Sequence, residues 1–85
     1  MKHIELSTGF VTDIPEERFD DYELFEWAVQ LESGDSSALM KICDRLLKEE
    51  KKRFLDFHRR EDGVAPFTVI GGAILELIKA GGEKK

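Results

Sequence analysis

The sequence predicts a mainly α fold, a small bundle of four to five helices with an N-terminal β-hairpin (α+β by strict count). Three observations predict it. Residues 2–14 alternate apolar and polar side chains around a short glycine-containing loop. Residues 20–80 carry apolar stripes at i, i+3, i+4 and i+7. The two patterns are divided by Pro15, and the stripes are separated by Gly34 and Gly63.

The hairpin comes first. Ile4 and Leu6 share one face of a strand, and Phe10, Thr12 and Ile14 share one face of another, across Ser7-Thr8-Gly9. A lone hairpin is marginal in water, so this one must rest on the helices. Pro15-Glu16-Glu17-Arg18 suits a single helical turn, with proline at the first position and acids at the positive end. Asp20 or Asp21 caps the next helix, which runs to about Ser33 on Leu24, Trp27, Ala28 and Leu31, widened by Phe25 and Val29. Gly34 is placed to end it in the left-handed conformation.

Asp35 or Ser36 opens a helix striped by Leu39, Ile42, Cys43, Leu46 and Leu47. The stripe lapses from Lys48 to Arg53, so a break or bend is expected near Lys48. A further helix is expected over 49–60, with Phe54, Leu55, Phe57 and His58 on its apolar side. Glu61-Asp62-Gly63 stops it. The last helix, 66–80, is striped by Phe67, Ile70, Ala73, Ile74, Leu77 and Ile78. Gly71-Gly72 inside it costs about 1 kcal/mol per residue relative to alanine, so either another backbone comes close there or the helix is weakened. The chain is expected to be one domain, 1–85: hairpin 2–14, helical part 15–80 and a flexible tail 81–85. The core is expected to draw on Leu24, Ala28, Leu31, Leu39, Ile42, Cys43, Leu46, Phe54, Ile70, Ile74 and Leu77.

Composition narrows the function. Of 85 residues, 41% are hydrophobic, too many for a disordered chain, and 36% are charged. No run approaches the ~20 apolar residues of a membrane span. Met1-Lys2-His3-Ile4-Glu5 meets charge at once and lacks the apolar core of a signal peptide. A cytoplasmic protein is expected. The net charge of −5 argues against general affinity for nucleic acid or anionic lipid, which rests on neutralising phosphates.

Chemistry-bearing constellations are sparse. Two histidines and one cysteine do not supply four zinc ligands, and neither metal nor cofactor is expected. Cys43 with His58 has the makings of a nucleophile and its base, but Cys43 falls on an apolar stripe and reads as a small buried hydrophobe. The acids from Glu16 to Glu26 fall at helix starts and on solvated faces. No catalytic residue is assigned, and no enzyme is expected.

Two surfaces remain. Lys51, Lys52, Arg59 and Arg60, with Lys48 and Arg53, form a basic patch on an acidic chain. Laid on a phosphate backbone, the helix 48–60 would make a DNA-associated regulator. Interleaved acids instead read as intrahelical pairs, Glu49–Arg53 and Asp56–Arg60. The other surface is apolar. A domain this small need not bury every aromatic, and surplus aromatics mark partner surfaces. Tyr22, Phe25, Trp27 and the exposed edge of the last helix near Ile78 are the expected partner-binding patch, with Phe57 a further candidate.

Three features together resemble one known family. They are the hairpin Ile4-Glu5-Leu6-Ser7-Thr8-Gly9-Phe10; the acid-led helix Asp20-Asp21-Tyr22-Glu23-Leu24-Phe25-Glu26 ending in Leu31-Glu32-Ser33-Gly34-Asp35; and Leu46-Leu47, Phe54 and Arg59-Arg60-Glu61-Asp62-Gly63-Val64-Ala65-Pro66 leading into a last amphipathic helix. Over residues 4–80 the chain resembles the small tail assembly chaperones of long-tailed, siphovirus-type bacteriophages and prophages. The Arg-Glu-Asp-Gly-x-x-Pro stretch is the most specific feature; Gly71-Gly72 departs from the pattern. The resemblance implies a non-enzymatic protein of the host bacterial cytoplasm. It would bind the tape measure protein, keep it soluble and extended, and help tail tube protein polymerise around it. It also admits a homo-oligomer and a longer form made by ribosomal frameshifting.

Overall fold

A computed structural model describes residues 1–82. It is mainly α with an N-terminal antiparallel hairpin. Strand β1 (Lys2–Glu5) pairs with β2 (Val11–Ile14) in the register Lys2↔Ile14, His3↔Asp13, Ile4↔Thr12, Glu5↔Val11. Ile4, Leu6, Phe10, Thr12 and Ile14 are all buried, so one face of the ribbon enters the core as the alternation predicts. The loop closes with Leu6 N–H donating to Phe10 O and Gly9 N–H to Leu6 O. Gly9 adopts φ 97°, a conformation that favours glycine.

A 3-10 turn, Glu16–Phe19, follows Pro15. Helix α1 (Tyr22–Glu32) is capped by Asp21, whose carboxylate accepts from Glu23 N–H and Leu24 N–H. It ends in a Schellman motif: Asp35 N–H donates to Gln30 O, Gly34 N–H donates to Leu31 O, and Gly34 has φ 106°. Asp35 then accepts from both the amide and the hydroxyl of Ser37, which holds its carboxyl below the usual range.

The next helical stretch, 37–57, leaves helical backbone geometry only at Lys48 and changes its register along the way. It runs through α2 (Ser37–Ile42), a π turn (Cys43–Leu47), a 3-10 turn (Lys48–Glu50) and α3 (Lys51–Phe57). The bend expected at Lys48 is present: φ is 47° and ψ −114°, the only non-glycine positive φ among the described residues. Such a conformation costs about 1–3 kcal/mol. It turns the chain so that Leu46 and Leu47 are buried above the bend and Phe54 is buried below it. The last helix is α4 (Phe67–Gly82). Among the described residues the helical bodies are therefore three (α1, 37–57 and α4), not the four or five expected, because the lapse in the apolar stripe bends one body without dividing it.

Two other boundaries move. The helix expected over 49–60 ends at Phe57, and Arg59 and Arg60 enter a tight turn. There Gly63, at φ 88°, donates to Arg60 O, and Arg60 N–H donates to Val64 O. Helix α4 runs through Gly81 and Gly82, which the sequence assigned to the tail; the rest of that tail lies outside the described residues. Gly81 is there for space. A Cβ on it would stand 2.1 Å from the Phe19 ring, which the 3-10 turn lays against α4.

The core takes residues from every element except the 3-10 turn Lys48–Glu50. Phe19, Leu6, Phe10, Ile14 and Leu47 belong to it beyond the expected set, while Leu31 is only half-buried. The hairpin rests on α3 and α4. Phe10 meets Phe54 edge to face at 5.2 Å and Phe57 at 5.4 Å, and the Arg53 guanidinium lies 4.6 Å over the Phe10 ring. Ser7 donates its amide and its hydroxyl, each at 2.8 Å, to Glu76 of α4.

Candidate functional site: an apolar groove between the first and last helices

Helix α1 presents Tyr22, Phe25 and Val29 to solvent, 82%, 42% and 62% exposed. The spacing i, i+3, i+7 places them in one row along the helix. Opposite, α4 offers Gly72, Leu75 and Lys79 at the same spacing. Between the two helices lies an open groove of about 550 Å³ with Ala28 and Ile78 among its lining residues. Glu32, Glu76 and Lys79 stand on its rim. The Phe25 ring closes toward Gly82, its Cζ 3.0 Å from where a Cβ would be.

The expected partner patch divides on this geometry. Phe25 lines the groove, and Tyr22 continues its row. Ile78 lines the groove but is only 4% exposed, so it is floor, and the exposed edge of α4 is formed instead by Gly72, Leu75 and Lys79. Trp27 faces the other way, half-buried toward α2, with Arg45 at 4.9 Å and Lys41 at 6.0 Å from its ring. Arg45 is fixed there by Glu23 and Asp21, which raise its already high pKa. Phe57 is exposed but belongs to the aromatic cluster under the hairpin loop. Val29, Gly72 and Leu75 are absent from the expected patch. The row 22–25–29 was readable from spacing, whereas its pairing with α4 was not.

Five of the six cations of the basic patch, all but Lys48, pair with carboxylates among the described residues, and Asp56 serves two of them. Lys51 pairs with Asp44, Lys52 with Asp56, Arg53 with Glu50, Arg59 with Asp56 and Arg60 with Asp62. Arg59 and then Lys52 hold the Asp56 carboxyl below its usual range. The pairings differ from those expected: Glu49 reaches across to Arg18, and Asp56 takes Arg59 in place of Arg60 because the helix has already ended.

Cys43 is buried, and burial pushes its thiol up to about 11, so almost no thiolate exists near neutral pH. It borders a second apolar depression of about 360 Å³ with Met40, Leu55 and Phe67. His58 is engaged at both ring nitrogens, Nδ1 against Phe54 O at 2.7 Å and Nε2 against Thr8 Oγ1 at 2.9 Å. Among the described residues no group of three His, Cys, Asp or Glu gathers as a metal would require, and no helix is long and apolar enough to cross a membrane. No family model, curated protein or solved structure matches the chain.

Proposed function

We propose that this protein is a phage or prophage tail assembly chaperone that acts by binding, without catalysis. Its client is the tape measure protein, held through an amphipathic helical segment, with the tail tube protein as a second partner and self-association as an accompanying property. The setting is the host bacterial cytoplasm. The observation that carries the reading is the groove between α1 and α4, with an exposed aromatic and aliphatic row on a strongly charged chain. An apolar groove between two helices suits a client helix, and a net charge of −5 keeps the complex soluble once the row is covered. The family resemblance of the sequence supplies the identity of the client. The DNA-associated alternative loses support, because each phosphate contact needs a cation that is not already paired.

Co-expression with the tape measure protein of the same phage is the test. The protein should hold that client in the soluble fraction, and Tyr22→Ala with Phe25→Ala should lose it while remaining helical by circular dichroism. A client that stays insoluble with the wild-type protein contradicts the reading.

A further inference from the structure

Four glycines fall within α4, and three of them have a neighbour inside the molecule. A Cβ at Gly81 would strike Phe19, one at Gly82 would press on Phe25, and one at Gly71 would touch Leu39 at 3.9 Å. Gly72 has none: among the described residues a Cβ there would meet nothing within 4 Å. Glycine in a helix interior costs about 1 kcal/mol relative to alanine. Nothing among the described residues accounts for that cost at Gly72. The residue opens onto the groove, where a missing side chain lets an outside backbone come close.

Charge says what kind of partner fits. On the α1 wall Glu32 lines the groove, is exposed and makes no ion pair among the described residues; Glu26 is exposed and unpaired there too, outside the lining but beside the row of Tyr22 and Val29, whereas Glu23 on the far flank is held by Arg45. On the α4 rim the charge of Glu76, which accepts from Ser7, is offset by that of Lys79. The negative side of the groove is therefore α1. The row Tyr22–Val29 and the row Gly72–Lys79 each advance about 10 Å along their axes, two turns of a docked helix.

We propose that the groove seats an amphipathic helix with Lys or Arg along the edge facing α1 and its closest packing over Gly72. This rests on the groove being the client surface and specifies the client segment by its chemistry. Two labelled helical peptides of about 18 residues serve as probes, sharing one Leu/Ala stripe and differing only in Lys or Glu flanks. In fluorescence anisotropy the Lys-flanked peptide should bind at least about tenfold tighter at low ionic strength, and the gap should narrow with salt as the Debye length falls from about 30 Å at 0.01 M to about 3 Å at 1 M. Glu26→Lys with Glu32→Lys should reverse the preference. Gly72→Ala should melt no lower than wild type yet bind about tenfold more weakly, since its methyl fills the seat. Equal binding of both peptides at low salt, undiminished binding by folded Gly72→Ala, or no binding of the Lys-flanked peptide by wild type would each overturn the proposal.

Co-expression separates this from the chaperone reading. If Gly72→Ala solubilises the tape measure protein as fully as a competent wild type, the seat is wrong and the chaperone stands. If wild type leaves it insoluble while the peptide results hold, the chaperone is wrong and the groove stands.

Discussion

The face from Lys51 to Arg60 and the groove between α1 and α4 look equally promising as strings of letters, and the fold treats them oppositely. On the first, all five cations have carboxylate partners, and Phe54 beneath them is buried against Phe10 of the hairpin. On the second, three apolar side chains stand in solvent, and among the described residues the lining acid Glu32 goes unpaired and a helix glycine has no neighbour at its missing Cβ. A surface whose groups satisfy one another has little left to offer a partner. Exposed ion pairs are worth only about 0–1 kcal/mol each, so the matched face stabilises the fold modestly and recognises little. The groove is the region whose residues lack an internal reason.

Substitutions on the two regions should therefore fail in different ways. Phe54→Ala, beneath the matched face, should destabilise by about 3–5 kcal/mol in chemical denaturation, because the ring is fully buried and anchors the hairpin. A loss under 1 kcal/mol would mean that the hairpin is held some other way. Tyr22→Ala with Phe25→Ala should cost about 2 kcal/mol or more of client binding, measured by calorimetry, while the melting transition stays cooperative. The glycines of α4 sharpen the same contrast. Gly81→Ala should destabilise by about 1–3 kcal/mol, since Phe19 occupies the space a methyl needs. Gly72→Ala should be neutral or stabilising by up to about 1 kcal/mol.

The smallest effect should come from His3, exposed on the hairpin. Asp13 and then Glu5 raise its pKa above 6.5. A raised folded-state pKa means that the stabilisation is fully present below 6.5 and is lost as pH rises through the folded value. His3→Gln should remove that slope from the pH dependence of melting. An unchanged slope would show that His3 is unpaired in solution.

Much of the fold was legible because its signals are local. The hairpin follows from alternation around Gly9. The start and end of α1 follow from Asp21 and Gly34, whose roles are fixed within four residues of sequence. Even the bend at Lys48 follows from the lapse in the stripe, although its continuity as one helical body did not. The candidate site was half legible for the opposite reason. Trp27 and Phe25 stand two residues apart, so they point to different flanks of α1, and only the placement of α2 and α4 decides which flank is covered. Phe19 lacked a stripe to belong to, and Gly81 had no visible purpose until Phe19 was placed against it.

The central claim is that recognition belongs to the groove and not to the basic face. Amide hydrogen exchange of the protein, alone and with the tape measure protein, tests it most directly. The account predicts slowed exchange at the exposed ends of the groove, around Tyr22–Glu26 and Gly72–Leu75, with the turn from Arg59 to Val64 unchanged. Protection confined to 51–64, with the groove exchanging as in the free protein, would contradict it.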